Sequence, residues 1–394
     1  MAVLTTASRA GTAEDAVSGV VPAEVVQPRD PGEVAEVLRG AAAGRRTVVP
    51  VGSGTKTGWA GPPSSFDLLL STTALDRIVE HSPGDLVVIA QAGVRLADLQ
   101  AEVAGAGQML ALDPGEPGAT LGGVVSANAS GPRRLRYGTV RDLLIGVTVV
   151  LPDGSTASAG GKVVKNVAGY DLGKLYTGAH GSLGVVVSTT WRLHPLPPAR
   201  AVVAVPVRDS AEAGQYAQQI SRSTLTPTAC ELARTDGTLT LVVLFEAIGE
   251  SVEHQASTLV ELLGAGTAGE DLPQWFGVRP GGTQDLVLRL AHEPAALPAV
   301  LDALPSSASV TSSVGTGVSF VALPAEQGVA ALPSLRAALE PFDGTAVVLH
   351  APETVRGRVD HWGPIGDALP LMRKVKDRFD PQRLLSPGRF VGGL

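Results

Sequence analysis

The first half of the chain alternates short apolar runs with amphipathic stretches. Thr47–Val51, Leu86–Ala90 and Leu143–Leu151 are apolar runs of strand length. Asp30-Pro31-Gly32-Glu33 is a typical helix start, because Asp caps, Pro suits the first turn and Glu can complete a capping box. The apolar spacing that follows stops at Gly44, and a second helix is predicted over Val94–Val103. This half is therefore predicted to alternate strands and helices.

The second half repeats one pattern twice. Strand, helix, two strands and helix follow one another from Ala201 to Leu263, and a similar series runs from Leu286 to Leu349. The pattern predicts an antiparallel sheet with helices on one face, and so an α+β fold. Because Pro195–Pro198 breaks the composition, we place the domain boundary there. The expected divisions are an N-terminal tail at 1–20, a first domain at 21–198, a cap domain at 199–350 and a C-terminal segment at 351–394.

Composition narrows the classes of function. The chain has 394 residues, with 44% hydrophobic and 18% charged residues, as expected for a globular protein of two domains. Its net charge of −7 gives no electrostatic reason to expect nucleic acid binding. Cys230 is the only cysteine, so an internal disulfide or a thiolate cluster cannot form. Leu143–Leu151 is too short to cross a membrane and Met1–Asp15 has no signal-peptide core, so a cytoplasmic protein is expected, with peripheral attachment through a partner as the alternative.

Three glycine-rich segments are candidate binding sites. Pro50–Gly58 lacks the Gly before Lys56 that a Walker A loop needs, and it does not open a helix as a Rossmann loop does. It remains either a strand-to-strand loop whose N–H groups bind phosphate or an ordinary turn. Ala119–Gly131 contains Thr120 as a plausible helix cap, so either a phosphate site at the helix N-terminus or close helix packing explains its glycines. Gly161–Leu172, followed by Leu175–Val186, is too rich in polar and glycine positions for packing alone.

These segments, in this order, resemble the FAD-binding domain of the vanillyl-alcohol oxidase and p-cresol methylhydroxylase (PCMH) superfamily. The phrase Lys165–Leu172 resembles the signature of its glycolate oxidase and D-lactate dehydrogenase branch. Gly131–Arg134, Tyr137-Gly138 and Val140–Asp142 resemble the smaller FAD-binding (E) subunit of glycolate oxidase. The similarity is strong from Val21 to Pro198, weak in the middle and good again near the C-terminus.

The resemblance implies a two-part PCMH-type FAD-binding domain, with the first loop and Thr120–Gly131 at the pyrophosphate, Gly181–Val186 at the adenine side and the C-terminal tail at the flavin. The implied cofactor-binding residues are Pro50, Val51, Gly52, Ser53, Gly54, Thr55, Lys56, Thr57, Pro114, Gly115, Thr120, Leu121, Gly122, Gly123, Ala127, Asn128, Ser130, Gly131, Tyr137, Gly138, Gly181, Gly184, Val185, Val186 and Arg389. Ser386 stands where the family has Asn. The first loop contains no His or Cys, so the FAD is expected to be non-covalent.

The catalytic base is not identifiable from the sequence. Catalytic relatives carry an H-x-G-D-G-N-x-H segment, which this chain lacks, and His350 and His361 have no metal-ligand spacing. These two histidines, and His180 where relatives have Glu, are better explained as structural. The basic stretch Arg373–Arg378 is best explained as a solvated helix face, whereas Arg389 is a candidate cation near the flavin.

The functional hypothesis is an FAD-binding subunit of a glycolate oxidase or dehydrogenase complex that oxidises a 2-hydroxy acid, glycolate to glyoxylate. The expected partners are a larger subunit that binds FAD and substrate, and an iron–sulfur subunit, because one cysteine cannot hold a cluster. Two alternatives remain open: a self-sufficient FAD-linked dehydrogenase for D-lactate or another 2-hydroxy acid, and a non-catalytic scaffold subunit.

Overall fold

The structure is a computed structural model that describes residues 7–162 and 171–394. The strands are β1 (Ser8–Ala10), β2 (Glu24–Val26), β3 (Val48–Val51), β4 (Leu68–Ser71), β5 (Ile78–Ser82), β6 (Val87–Gln91), β7 (Gln108–Met109), β8 (Leu144–Val150), β9 (Thr156–Gly160), β10 (Val185–Arg192), β11 (His194–Pro195), β12 (Ala199–Val207), β13 (Ala229–Thr235), β14 (Thr238–Ala247), β15 (Thr267–Gly269), β16 (Asp285–Ala291), β17 (Ser309–Ser313), β18 (Val318–Pro324) and β19 (Thr345–His350). The α-helices are α1 (Pro31–Ala43), α2 (Leu96–Ala104), α3 (Leu121–Ala127), α4 (Arg134–Tyr137), α5 (Val140–Leu143), α6 (Leu172–Tyr176), α7 (Ser210–Arg222), α8 (Gly249–Leu263), α9 (Leu297–Ala303), α10 (Ala325–Leu339), α11 (Glu353–Arg356) and α12 (Leu369–Phe379).

The chain divides into two compact units. Unit 1 comprises Met1–Ser130, Thr139–Leu196 and Pro364–Leu394, as far as these residues are described. Unit 2 comprises Gly131–Gly138 and Pro197–Gly363. The C-terminal residues from Pro364 therefore belong to the same unit as the glycine-rich loop after β3, while the short helix α4 belongs to the other unit.

Unit 1 contains two main sheets. The first has the order β1-β2-β4-β3, in which β2, β4 and β3 are parallel, and the second is antiparallel with the order β5-β6-β10-β8-β9. Helix α1 begins and ends as the sequence predicts. The Asp30 side chain accepts from the Glu33 N–H at its start, and Gly44 follows its last residue. Its apolar face packs with Val26, Val48, Leu68 and strands of the second sheet in one core.

Unit 2 is built on one antiparallel sheet with the order β15-β12-β14-β13-β17-β18-β16-β19. Alternate residues of these strands form a core with α7, α8, α9 and α10, which cover one face. On the other face Val202, Val242 and Leu244 pack against Leu272, Trp275 and Phe276. The two sequence repeats thus supply adjoining halves of one sheet.

The predicted α+β class and the antiparallel sheet with helices on one face are confirmed. One prediction was wrong: α12 is not simply a solvated face, because Lys376 is buried beside Asp380 while Arg373, Lys374 and Arg378 are exposed. Among the described residues, no helix is long and apolar enough to cross a membrane. Residues 163–170, which hold most of the phrase Lys165–Leu172, lie outside the described part of the chain.

Candidate cofactor-binding site

A cleft in unit 1 brings together four regions that are far apart in the sequence. It lies between the loop that follows β3, the first turns of α3, the turn at His180-Gly181 and Arg389 near the C-terminus. The cleft is lined by Val17, Val49, Pro50, Val51, Gly52, Ser53, Gly54, Thr55, Lys56, Thr57, Thr120, Gly123, Ser126, Ala127, His180, Gly181 and Arg389. Residues 50–57 of the predicted first loop, together with Thr120, Gly123, Ala127, Gly181 and Arg389, therefore face one space.

The loop after β3 has a glycine in a left-handed conformation and backbone donors without an acceptor among the described residues. Gly54 has a φ of +78°, and a Cβ placed there would meet no atom within 4 Å. A Cβ at Gly52, by contrast, would collide with the Thr120 hydroxyl. Within the described chain, the backbone N–H groups of Ser53, Gly54 and Thr55 donate to no acceptor. Such consecutive donors at the wall of a cleft suit an anionic oxygen.

Two buried cations border this loop. Lys56 is 8% exposed; its ammonium donates to the Thr55 hydroxyl at 3.0 Å and lies 3.6 Å from the Glu116 carboxylate. Arg389 is 5% exposed and donates to the Thr57 carbonyl at 2.9 Å. Burial lowers the pKa of Arg389 to about 10, which leaves the guanidinium charged at neutral pH. The cleft therefore carries positive charge beside open backbone donors.

Ser386 and His180 hold the C-terminal segment against this cleft. The Ser386 N–H donates to the Val48 carbonyl at 2.8 Å, and its hydroxyl donates to the His180 carbonyl at 3.1 Å. Ser386 is fully buried with a φ of +49°, and its own carbonyl accepts from the Arg389 N–H. In these contacts Ser386 joins β3 to the turn and fixes the position from which Arg389 enters the cleft.

His180, which the sequence analysis explained as a structural histidine, lines the cleft, as do Val17, Val49 and Ser126, which were not among the predicted residues. Its N–H donates to the Ser126 carbonyl, and its ring centroid lies 6.1 Å from that of Phe390. Burial, and then the charge of Arg389, lower the pKa of His180 to about 3. The imidazole is therefore neutral at physiological pH. His180 has a left-handed φ of +51° and stands directly before Gly181, which also has a positive φ.

Several predicted residues of the second segment do not line the cleft. Thr120 caps α3, as expected, by accepting from the Gly123 N–H at 3.4 Å. However, the Leu121 and Gly122 N–H groups donate to the Val94 and Ala92 carbonyls, so the prediction of open donors at this helix N-terminus was wrong. A Cβ at Gly122 would lie 2.8 Å from the Ala92 Cβ. Close packing, which was the alternative explanation, accounts for this glycine.

The remaining predicted residues of unit 1 lie outside the lining. Pro114 and Gly115 belong to the segment that reaches the first loop through a Ser53 hydroxyl bond to the Gly118 carbonyl. Asn128 follows α3 with a φ of +49°, and its Oδ1 is buried without a hydrogen-bond partner in the described chain. Ser130 is buried, and Gly184, Val185 and Val186 are buried where β10 begins.

Three further predicted residues, Gly131, Tyr137 and Gly138, belong to unit 2. Beside them, Arg133 forms a two-pronged ion pair with Glu246, at 2.6 Å and 3.2 Å. His350 and His361, which the sequence analysis explained as structural, also belong to unit 2: the His350 ring hydrogen-bonds the Thr283 carbonyl, and His361 is buried. Cys230 is buried in the core, which raises the pKa of its thiol.

The donors of the cleft fit a cofactor that carries phosphate. Glycine where a Cβ would collide, unused N–H groups and a buried guanidinium form a cradle for a pyrophosphate, as flavin and nicotinamide dinucleotides require. The lining of the cleft thus suits the phosphates of a dinucleotide cofactor.

Comparison with known proteins identifies two regions of this chain. Residues 22–160 match the FAD binding domain, and residues 361–390 match the C-terminal domain of FAD linked oxidases. The chain therefore contains an FAD-binding domain, and its cofactor is FAD. The first loop and the Arg389 segment, which meet in the cleft, lie in these two matched regions.

The relatives include enzymes of 2-hydroxy acids. The chain is 31% identical over 242 residues to the glycolate oxidase subunit GlcD of Bacillus subtilis. The aligned region covers 61% of this chain and 51% of that protein. It is 41% identical over 122 residues to the glycolate oxidase subunit GlcE of Escherichia coli, covering 30% and 35%. It is 31% identical over 258 residues to a D-lactate dehydrogenase of Archaeoglobus fulgidus, covering 61% and 57%. The chain spans about half the length of the curated relatives it matches first.

A solved chitooligosaccharide oxidase has the same fold. It superposes with a TM-score of 0.71, covers 97% of this chain and 96% of its own, and is 16% identical. At that identity the likeness concerns the fold alone.

Proposed function

We propose that the cleft binds FAD through its pyrophosphate. The N–H groups of Ser53, Gly54 and Thr55 donate to the phosphate oxygens, and Arg389, which borders the loop, adds a charged donor. The observation that carries this proposal is the convergence of an open glycine loop and a buried cation from the other end of the chain. Hydrogen bonds with a charged group contribute about 1.5–3 kcal/mol each, enough for tight binding when several act together.

We further propose that the FAD is not covalently bound. The first loop contains no His or Cys, and the histidine that lines the cleft, His180, packs near Phe390 and hydrogen-bonds through its backbone. Acid precipitation of the purified yellow protein should therefore leave all FAD in the supernatant. Flavin that stays with the wild-type pellet but not with that of a His180→Asn variant would instead show attachment at His180.

The activity we propose is oxidation of a 2-hydroxy acid, glycolate to glyoxylate, by a complex in which this chain is an FAD-binding subunit. Bound FAD would supply the acceptor for the hydride of the substrate. The relatives GlcD and GlcE support the choice of acid and of a multi-subunit enzyme. The proposed partners are a larger subunit that provides the catalytic base and an iron–sulfur subunit that removes the electrons.

A second candidate is a self-sufficient D-lactate or 2-hydroxy-acid dehydrogenase, which the similarity to D-lactate dehydrogenases favours. Anaerobic reduction of the FAD-loaded chain distinguishes the two candidate functions. Under the first proposal, glycolate and D-lactate leave the flavin of the isolated chain oxidised over minutes. Bleaching of the flavin absorbance at the rate of turnover would establish the second.

A further inference from the structure

Unit 1 contains a second cavity, and its lining and that of the FAD cleft share no residue among those described. Its wall is formed by α6, the turn after α6, α12 and the C-terminal residues, with apolar side chains that include Leu175, Leu183, Met372, Val375 and Phe390. The cavity has a volume of about 290 Å³. It is thus about twice as large as an engineered apolar cavity of roughly 150 Å³ that binds benzene. The carbon chain of a small ligand can be held in such a space.

The polar groups in the wall of this cavity already have partners within the chain. The Thr177 and Ser182 hydroxyl groups donate to backbone carbonyls at 2.8 and 2.7 Å. The Lys376 ammonium donates to Asp380 and to two backbone carbonyls. Water in the cavity therefore finds few hydrogen-bond partners, whereas a hydrocarbon chain that enters it gains from the burial of its apolar surface.

Cations border the face of α12 that forms one wall of the cavity. Leu371, in this wall, is 66% exposed, so the apolar face continues to the surface of the protein. Lys374 and Arg378 follow Leu371 by three and seven residues, which places them on the same side of the helix. Both are exposed, and neither forms an ion pair within the described chain. The acidic residue of this helix, Asp377, is already paired with Arg383.

We propose that this cavity binds a medium-chain carboxylic acid, with the carbon chain in the apolar interior and the carboxylate beside Lys374 and Arg378. A free acid fits better than a lipid bilayer, because walls on α6, α12 and the C-terminal residues enclose a single chain, whereas a bilayer would contact only the exposed helix face. The site is independent of the proposed function. Its ligand would contact the residues next to His180 and Arg389 in the sequence without entering the FAD cleft.

Calorimetric titration of the FAD-loaded chain with decanoate, well below the concentration at which decanoate forms micelles, tests the site. Octanoate should bind about 10- to 15-fold more weakly than decanoate, which is the factor for two buried CH₂ groups. Decanol should bind about threefold more weakly than decanoate, since it lacks the charge. Decyltrimethylammonium should bind more weakly still, because the cations beside the cavity repel it.

Two variants test the interior and the rim of the cavity separately. Val375→Trp places a larger side chain in the wall and should weaken decanoate binding by about tenfold or more, because less space remains for the chain. Gln219→Trp, at an exposed position of α7, is its control. Arg378→Glu should weaken decanoate binding by about three- to tenfold and leave decanol binding unchanged. Its matched control is Arg222→Glu, because Arg222 is an exposed arginine in the last turn of α7, as Arg378 is in the last turn of α12.

The inference is overturned if the wild type does not bind millimolar decanoate, if Val375→Trp binds it within twofold of wild type, or if decyltrimethylammonium binds as tightly as decanoate. Release of FAD by decanoate would place the acid in the FAD cleft and would also contradict it. So would sedimentation with vesicles of phosphatidylcholine and phosphatidylglycerol without binding of decanoate, which would indicate a membrane contact of α12. Circular dichroism checks that each variant is folded, and the chain-length series with Arg378→Glu decides if Val375→Trp is not. Glycolate oxidation enters none of these measurements, so the site and the proposed activity stand or fall separately.

Discussion

Gly54 has a left-handed φ of +78° with no atom within 4 Å of the position of a Cβ. Valine there would meet no steric obstacle from the protein, but its backbone conformation is strained by about 1–3 kcal/mol, and relief of that strain would redirect the N–H groups of the loop. We expect Gly54→Val to lower FAD affinity at least tenfold in a fluorescence titration. Gly107→Val is the matched control, because Gly107 also has a positive φ, +69°, and open space, but lies outside the cleft. An equal loss of FAD affinity in both variants would show that strain at any position of unit 1 is sufficient to weaken FAD binding. The loop would then have no specific role in binding.

The sequence gives Gly54 and Gly122 the same function, and the structure separates them. Both lie in glycine-rich segments that resemble cofactor loops, and sequence spacing contains no signal that distinguishes an open glycine from a packed one. Gly122 in α3 packs against Ala92, which directly follows β6. Such a contact between distant parts of the sequence depends on the tertiary fold. For the same reason His180 was not recognised as a cleft residue, since its neighbours Ser126, Phe390 and Arg389 are distant in sequence.

The neutral imidazole of His180 makes stability depend on pH. Below about pH 6.5 the unfolded chain binds a proton at this ring, whereas the folded chain does not until about pH 3. The free energy of unfolding therefore decreases as the pH is lowered from 6.5 towards 3. Between pH 6.5 and 5 the wild type should lose about 2 kcal/mol more than His180→Asn, since each pH unit contributes about 1.4 kcal/mol. Asparagine also tolerates the left-handed φ. Urea unfolding at both pH values measures the difference.

The control for this pH dependence is His254→Asn, which removes an exposed histidine of α8 and should follow the wild type. An identical loss of stability in wild type and His180→Asn would mean that His180 is solvated and titrates normally.

At the level of elements, α12 is joined to the cofactor cleft by one buried ion pair. The Lys376 ammonium donates to Asp380, to the Ser182 carbonyl and to the Leu385 carbonyl, at 2.7, 2.7 and 2.9 Å. Asp380 also accepts from the Leu384 and Leu385 N–H groups. The pair thereby ties the helix to the turn after His180 and to the segment that carries Arg389.

Lys376→Met should lower the free energy of unfolding by about 3–5 kcal/mol, because it leaves the Asp380 carboxylate buried without its cation. Adding Asp380→Asn should recover part of this loss, since Asn keeps an acceptor without the charge. Lys374→Met, at an exposed position of the same helix, should change the free energy by less than about 0.5 kcal/mol. Urea unfolding of the FAD-free chain measures all three, and equal effects at the two lysines would contradict the structural role of the pair.

The helices and strands themselves were largely predictable from the sequence, because helix caps and hydrophobic periodicity depend on residues that are close together in the chain. The Asp30 cap of α1, the Thr120 cap of α3 and the doubled strand pattern of unit 2 appear as expected. Helix α12 shows the limit of local pattern. Its spacing of basic residues is that of a solvated face, and only the position of Ser182 and Leu385 in the folded chain reveals that Lys376 is enclosed.

For the whole molecule, we propose a division of work between this chain and its partners. The chain binds FAD in our proposal, but three of its histidines are poorly suited to act as the base: His350 bonds a backbone carbonyl, His361 is buried and His180 is neutral because burial lowers its pKa to about 3. One cysteine, buried in a core, cannot hold an iron–sulfur cluster. We therefore expect the chain to co-purify with a larger flavoprotein that carries the H-x-G-D-G-N-x-H segment and with an iron–sulfur subunit.

Dye reduction with glycolate should be at background for the isolated FAD-loaded chain and should rise by at least 100-fold, about 2.7 kcal/mol in activation free energy, when both partners are added. A Gly54→Val chain added to the same partners tests whether the FAD of this subunit takes part in the transfer, and the Gly107→Val chain is its control. Full turnover by the isolated chain would refute the dependence on partners and would leave the self-sufficient dehydrogenase as the function.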